Sequence, residues 1–362
     1  MKKSAAYIKD LRADIDSIDS KILRLLNKRA MRVIGVGRAK SMGKMDFYAP
    51  DRESEIYARL TGENKGPFPN QALRNVFREI MSASLSLEKP LRVAFLGPVA
   101  TFTHQACIQH FGLSGEFAPK KEIADVFDDV EKGRADFGVV PIENTTEGVV
   151  SHTLDLFVSS ELKICAEVML GVSLAIMNKT GALGDVKKVS SHPHALAECK
   201  RWLKENLDGA VQVEVSSTAM AAQLAAEDGA VAAIASVAAA DIYGLRLIEK
   251  GVEDNANNYT RFLVIGEKAC KRTGADKTSL VFAVKDRPGA LYSMLKPFAK
   301  RRINLTKIES RPLKTKAWEY LFFVDLDGHI GEKKVHGAVS ELLEACSFLK
   351  VLGSYPKSQA VK

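Results

Sequence analysis

Asn255-Ala-Asn-Asn-Tyr-Thr-Arg-Phe-Leu-Val-Ile-Gly266 gathers three amides, a hydroxyl and a guanidinium where a loop enters an apolar strand. Successive side chains of a strand leave opposite faces. Thr260 and Arg261, at the mouth of a strand over 262–265, therefore point to opposite sides, and one of them can face a ligand. On these residues alone the stretch is either the rim of a binding site or a strand edge with a satisfied threonine. Upstream, Arg92-Val-Ala-Phe-Leu-Gly97-Pro98 reads as a strand running into a turn. Further strands are expected at 137–141, 164–170, 174–177, 211–215 and 230–235, with amphipathic helices over 125–132, 195–206 and 218–227 among them. Strands alternating with helices predict an α/β domain over 91–270. Three polar clusters sit beside those strands: Thr101-Phe102-Thr103, Glu143-Asn144-Thr145 and Ser190-Ser191-His192. Ligand sites of α/β sheets lie at strand ends, and helix caps use the same residue types, so each cluster alone is open to both readings.

Residues 1–90 read as helices. From Ile8 the apolar residues Leu11, Ile15, Ile18, Ile22 and Leu25 keep a three-four spacing, continued by Val33 and Val36. This describes one long helix with a partner-facing seam. Arg29 falls on that seam, one heptad after Ile22. A buried charge there is costly unless paired, so it is either a pairing-specificity device or a ligand site. Lys40 returns to nearly the same face about 16 Å further along. Arg12 lies about 25 Å from Arg29 in the other direction, too far to serve the same small ligand from one helix, though a second subunit can supply it. A second helix starts near Pro50 and carries Arg52-Glu53, and a third, over 69–88, places Ser84 and Glu88 one turn apart.

After a polar linker at 271–277, the order is strand 279–284, helix 290–301, strands 305–311 and 320–326, helix 334–345 and strand 348–354. That βαββαβ succession over 278–356 predicts a ferredoxin-like α+β unit.

Composition bounds the function. The 362 residues are 46% hydrophobic, too long for one ordinary core, so several domains are expected. The net charge of +8 is uneven: 18 basic against 11 acidic residues before position 91, 16 against 24 over 91–270, and 18 against 9 beyond. The basic segments lack interleaved aromatic platforms and zinc-finger or helix-turn-helix spacing, so no nucleic acid partner is expected. Five scattered cysteines without a Cys-x-x-Cys pair argue against a disulfide framework or a zinc site and fit a reducing cytoplasm. Met1-Lys2-Lys3 opens like an export signal, but charges at Lys9, Asp10, Arg12, Asp14 and Asp16 interrupt it. The longest apolar run, 230–240, is about half a membrane span, so no membrane segment is expected.

Three resemblances follow from these residues. Arg12 in Leu-Arg, Arg29 in Asn-Lys-Arg, Lys40 in Gly-Arg-Ala-Lys, Arg52-Glu53, Ser84 and Glu88 fall at the spacings of the all-helical chorismate mutases. The resemblance implies an intertwined dimer with shared sites, in which Arg12 and Arg29 clamp two carboxylates. Lys40 and a protonated Glu88 would flank the ether oxygen. Where many relatives carry Asp, this chain has Ala49.

Gly97-Pro98-Val99-Ala100-Thr101-Phe102-Thr103, Pro141-Ile142-Glu143-Asn144 and Asn258-Tyr259-Thr260-Arg261-Phe262 resemble the prephenate dehydratases. This implies two α/β subdomains in a periplasmic-binding-protein-like arrangement, with Thr260 as the essential catalytic residue. Thr101, Thr103, Glu143, Asn144, Thr145, Arg261 and Phe262 would form the substrate site. Ala100 stands where relatives commonly have glycine.

Asp286-Arg287-Pro288-Gly289-Ala290-Leu291 and the segment from Asn304 to Glu309-Ser310-Arg311-Pro312 resemble ACT regulatory domains, which bind phenylalanine at subunit interfaces. No cofactor or metal is implied. The expected activity is a bifunctional chorismate mutase and prephenate dehydratase in phenylalanine synthesis under feedback control. An arogenate-preferring dehydratase or a non-catalytic amino-acid sensor stands as the alternative.

Overall fold

The computed structural model describes residues 2–43, 50–284, 288–312 and 320–358, in two compact units, one mostly helical and one containing all the sheets. Ala49, Asp286 and Arg287 lie outside the described residues. In the helical unit, α1 (Lys2–Gly43) is one helix of 42 residues, about 63 Å long at 1.5 Å per residue. The second helix, α2 (Pro50–Glu63), has proline at its start and Asp51 and Glu53 in its first turn, where exposed N–H groups favour acids. Then α3 (Asn70–Glu88) packs along α1, burying Met81, Ser82 and Ser84. Gly37 makes the close approach: a Cβ there would lie 3.0 Å from Glu88 Cγ. The rest of the α1 seam stays uncovered, with Ile8, Leu11, Ile15, Ile18, Ile22 and Leu25 each 44–65% exposed. An exposed apolar stripe of that length marks an interaction surface.

The other unit begins with β1 (Arg92–Leu96), α4 (Phe102–Phe111), β2 (Glu116–Lys120), α5 (Ile123–Glu131), β3 (Phe137–Asn144), β4 (Gly148–Val149), α6 (Ser151–Ser159) and β5 (Lys163–Gly171). A second subdomain follows with β6 (Leu174–Asn178), β7 (Lys188–Ser191), α7 (Pro193–Glu198), α8 (Lys200–Asn206), β8 (Val211–Glu214), α9 (Thr218–Glu227), β9 (Val231–Ser236), α10 (Val237–Tyr243) and β10 (Arg246–Lys250). The chain then returns as β11 (Tyr259–Gly266). The first sheet runs β2-β1-β3-β11-β5 with β4 on β3; the second runs β10-β6-β9-β7-β8. Every residue of β9 is buried, as befits an apolar strand with neighbours on both edges. Beside it, α9 presents Ala219, Ala221, Ala222 and Ala225 to the core, and Ser217 caps it by accepting the Met220 N–H at 3.0 Å.

Two expectations change. The helix over 195–206 is two short helices that meet at Cys199. The strand over 262–265 begins three residues earlier, because Thr260 pairs with Asn144 of β3 and with Leu170 of β5. Thr260 and Arg261 are thus inside the sheet, and ladder pairing that no local pattern encodes puts them there.

The C-terminal domain comprises β12 (Asp276–Val284), α11 (Ala290–Lys300), β13 (Leu305–Pro312), β14 (Tyr320–Asp327), α12 (Lys333–Ala345) and β15 (Phe348–Pro356). Its antiparallel sheet, β13-β14-β12-β15, is the ferredoxin-like arrangement read from the sequence. Strand alternation gives the sheet two apolar faces. Leu280, Phe282, Val324 and Leu326 pack on the helices through Met294, Phe298, Val335 and Leu342. Val281, Ala283, Leu321, Phe323, Leu352 and Tyr355 join the core of the β2-β1-β3-β11-β5 sheet with Ile164, Leu263 and Ile265. At Gly353 a Cβ would lie 2.3 Å from the Ile164 carbonyl oxygen. Gly353→Ala must therefore push β15 off β5, and we expect it to cost about 1–3 kcal/mol or more. Urea unfolding followed by circular dichroism checks this; an unchanged midpoint would refute so tight an approach.

Candidate active sites

In the helical unit α1 and α3 bring four of the expected residues together. The Arg29 guanidinium donates to the Ser84 hydroxyl and, at 3.5 Å, to the Ile80 carbonyl. Lys40 Nζ lies 3.3 Å from Glu88 Oε2, and the Glu88 side chain is only 8% exposed. Burial draws the Arg29 pKa below its ordinary value, and the nearby Glu88 charge opposes that shift. Arg29 is thus held on α3 as part of a polar group. Because Lys40 and Glu88 pair with each other, a ligand oxygen entering between them must part an ion pair. Arg12 is exposed on α1 and is not brought to this group. In the first turn of α2, Arg52 pairs with Glu55 at 2.8 Å in solvent, and burial lifts the Glu53 carboxyl to about 7.

The second candidate site forms where β3 and β11 end side by side. Asn144 Oδ1 accepts the N–H groups of Thr146 at 2.7 Å and Glu147 at 2.9 Å, which fixes the amide orientation. Its NH₂ must then face the other way. It donates to Asn258 Oδ1 at 2.7 Å and to Thr260 Oγ1 at 2.8 Å. Thr260 therefore accepts from Asn144, and among the described residues none takes the Thr260 proton. Asn258, buried, donates in turn to Glu198 Oε1 at 2.7 Å. Thr145 braces the pair: its hydroxyl accepts from the Tyr259 N–H at 2.9 Å and donates to the Asn257 carbonyl at 3.2 Å.

A cavity of about 370 Å³ opens beside this group, lined by Thr146, Glu147, His194, Glu198, Asp254 and Asn255 among others. That volume lies in the range of small-molecule sites. Burial raises the Glu198 pKa, and the charges of Glu147 and Glu253 add to it. His194 pairs with Glu147, and the His192 ring caps α7 by accepting the His194 N–H at 3.4 Å. Glu198 was not singled out in the sequence, because a lone glutamate in a helical segment carries no local signal.

The remaining dehydratase candidates lie elsewhere. Thr101 caps α4: its hydroxyl accepts the His104 N–H at 3.3 Å and donates to the Pro98 carbonyl at 2.9 Å. Thr103 is buried within α4 and Phe262 within the sheet core. Arg261 and Glu143 require correction as substrate contacts, since they leave the sheet on the face opposite Thr260 and Asn144. Arg261 Nη1 meets Glu143 Oε1 at 2.9 Å and Asp325 Oδ2 at 2.6 Å; Nη2 donates to the Tyr355 hydroxyl at 2.9 Å. Its Nε lies 2.8 Å from Glu167. Burial opposes the Arg261 charge, yet Tyr355, Asp325, Glu167 and Glu143 hold its pKa above the ordinary value. With every arm of its guanidinium engaged by these side chains, Arg261 braces the sheet from behind and is not turned to a ligand.

The expected effector residues also divide. Gly289 has a φ of +79° at the start of α11, with open space where a Cβ would stand, so its backbone conformation and not crowding calls for glycine. Ala290 is buried against the core and Leu291 is partly exposed. On β13, Glu309 and Arg311 share the sheet face of Leu321 and Phe323, which is turned to the β2-β1-β3-β11-β5 sheet, and Arg311 Nη2 lies 3.5 Å from Asp155. Ser310 is exposed on the other face. Asn304 donates to Asp327 at 3.2 Å. Glu309 and Arg311 are thus not gathered with Gly289 and Leu291 within one chain.

Comparison with known proteins assigns each of the three regions to a family. Residues 11–89 match the chorismate mutase type II family, 93–270 the prephenate dehydratase family and 278–344 the ACT domain. The bifunctional chorismate mutase/prephenate dehydratase of Aquifex aeolicus is 50% identical over 97% of this chain and 98% of its own length. That of Neisseria gonorrhoeae is 45% identical over 94% of this chain and 95% of its own. A solved prephenate dehydratase from Arthrobacter aurescens, in complex with L-Phe, is 37% identical with a TM-score of 0.68, over 74% of this chain and 90% of its own. All three regions are present in one polypeptide aligned along nearly its whole length, and the chain belongs to the bifunctional chorismate mutase/prephenate dehydratase family.

Proposed function

We propose that Arg29, Lys40, Ser84 and Glu88 of one chain, with Arg12 of a second copy, convert chorismate to prephenate, and that Thr260 then drives its conversion to phenylpyruvate. The uncovered α1 seam supports the second copy, since Ile8 to Leu25 gain burial only against another apolar surface. The rearrangement needs neither nucleophile nor metal. Arg29 and the second copy's Arg12 hold the two carboxylates in the compact reactive geometry, while Lys40, and Glu88 when it carries a proton, donate to the ether oxygen as it gains negative charge. Arg52 and Glu53 are the substrate contacts assigned to α2.

The observation that carries the second activity is the state of the Thr260 hydroxyl, which accepts from Asn144 and keeps its proton to give. In the reaction the ring C–O bond and the bond to the departing carboxylate break together. The freed electron pair completes the aromatic ring, carbon dioxide leaves, and the hydroxyl departs as water once it has gained a proton. Thr260 holds that hydroxyl and supplies the hydrogen bond. A threonine is a weak acid, so orientation and exclusion of water carry most of the rate.

The C-terminal domain binds phenylalanine between two copies, which brings Gly289 to Leu291 of one chain to the Asn304–Pro312 segment of the other. The substrate is prephenate, the assembly a homodimer or larger, and the compartment the cytoplasm. Product analysis from pure chorismate tests the reading: prephenate should appear first and phenylpyruvate follow. Phenylalanine should bind in calorimetry and inhibit only the second step, with a coupling of about 1–3 kcal/mol that is reciprocal with prephenate affinity. Phenylpyruvate formation indifferent to phenylalanine would remove the regulatory part.

A further inference from the structure

Behind the Thr260 hydroxyl, on the opposite face of the same sheet, lies a buried cluster of three cations and three anions drawn from two domains. From the dehydratase domain come Arg261, Glu143 and Glu167. From the C-terminal domain come Lys307 on β13, Asp325 on β14 and Lys277 on β12, with Tyr355 and Ser279 as neutral members. Besides the Arg261 contacts given above, Lys307 Nζ pairs with Glu143 Oε2 and Lys277 Nζ with Glu167 Oε2 at 2.7 Å. The Ser279 hydroxyl bonds both Asp325 Oδ1 and, at 2.6 Å, Tyr355. The side chains of Arg261, Glu167 and Asp325 are 6%, 3% and 9% exposed and those of Lys277 and Lys307 14%, while Glu143 at 30% reaches solvent, so the centre of the cluster balances its charges away from water. Such a group is costly to break by halves, since losing one member leaves its partner charged and buried.

Its position in the sheet gives it a consequence for catalysis. On β11 and β3, Thr260 pairs with Asn144 and Arg261 with Glu143, but Phe262 pairs with Pro141, so a β-bulge leaves Ile142 without a cross-strand partner. A bulge interrupts the ladder and re-aims the side chains beside it. On the β5 side Thr260 stays in regular register opposite Leu170, but on the β3 side the bulge means that the register of the core does not by itself fix where Asn144 stands against Thr260. The chain neighbours of those two residues, Arg261 and Glu143, are the ones clamped from the C-terminal domain.

We infer that Lys307, Asp325 and Tyr355 are positioning residues of the dehydratase reaction, contributed by the regulatory domain, which act through Glu143 and Arg261 to hold Asn144 and Thr260 in register. The inference rests on Thr260 acting in the dehydration. It also gives the C-terminal domain a direct mechanical line to the site, because any shift of β13 moves the ammonium that holds Glu143.

The test uses the full-length chain, with steady-state kinetics on prephenate. Wild-type turnover comes first: a wild type inert toward prephenate would remove the catalytic reading and this inference with it. Given an active wild type, Lys307→Met should lower dehydratase kcat about tenfold with KM within about twofold, because the binding surface is intact while the aim of the hydroxyl is not. Lys307→Arg, which restores a cation beside Glu143, should recover most of the loss; a purely steric role for the side chain would not respond in that way. Should Lys307→Met not fold, Tyr355→Phe replaces it under the same criterion, since it keeps the ring and removes only the hydroxyl that Arg261 and Ser279 use. A folded Lys307→Met or Tyr355→Phe protein with wild-type kcat overturns the inference while leaving the role of Thr260 standing.

Discussion

Thr260→Ala supplied with chorismate should accumulate prephenate. The hydroxyl it removes is the group that accepts from Asn144 and has a proton to give, so the dehydratase kcat should fall about 10²–10⁴-fold, the usual worth of a positioned proton donor. Substrate affinity should change little, because the loss of one hydroxyl and one methyl leaves in place the cavity walls, which other residues line. The mutase rate should be unchanged, since Arg29, Lys40, Ser84 and Glu88 belong to the helical unit. Thr260→Ser is the matching control: it keeps the hydroxyl and should retain a substantial part of the rate. Chromatographic resolution of prephenate and phenylpyruvate over time reads both steps at once. A Thr260→Ala protein that makes phenylpyruvate at nearly the wild-type rate would take the residue out of the mechanism.

The mutase reaction offers the second large effect. Arg29→Ala removes a guanidinium that α3 holds through Ser84, and Arg12→Ala removes one that stands exposed about 25 Å away on the same helix. Each change should lower mutase kcat/KM about a hundredfold or more, the scale of losing one partner from a carboxylate clamp. If the site is shared, mixing the two inactive proteins after unfolding and refolding produces heterodimers with one intact and one doubly depleted site. Random pairing makes half the dimers mixed, so about a quarter of wild-type activity should return. No recovery, with mixed dimers demonstrated by mass spectrometry, would sink the shared-site proposal while leaving Arg29 and Lys40 in place. The dehydratase activity of both variants should stay at the wild-type level, which distinguishes a local loss from a damaged chain.

What the sequence by itself determined about this protein is whatever a local period or spacing encodes. The three-four repeat from Ile8 to Leu25 is enough for the long helix, because residues that close in sequence share one helical face whatever surrounds them. The same holds for the βαββαβ order of the last domain, where each element is long and bounded by turn residues. Thr260 and Asn144 were singled out as candidate site residues from their motifs. Their mutual hydrogen bond was not, because they are 116 positions apart and meet only when β11 inserts between β3 and β5. That insertion is a ladder choice made by the whole sheet, and it also turned a strand mouth into a strand interior.

The destination of charged side chains was decided by tertiary structure alone. Arg261 looks in the sequence like a carboxylate-binding neighbour of Thr260, yet its partners Asp325 and Tyr355 come from a domain that begins after the linker. Alternation along β11 says that Arg261 leaves the face opposite Thr260; only the packing of two sheets says what waits there. The same limit applies to Glu309 and Arg311, whose motif is local but whose sheet face is set by pairing with β14. Gly37 and Gly353 are ordinary glycines in the sequence. Gly353 becomes necessary because the Ile164 backbone stands where a Cβ would be, and Gly37 lets α3 pack closely at Glu88; both proximities are properties of the assembled fold.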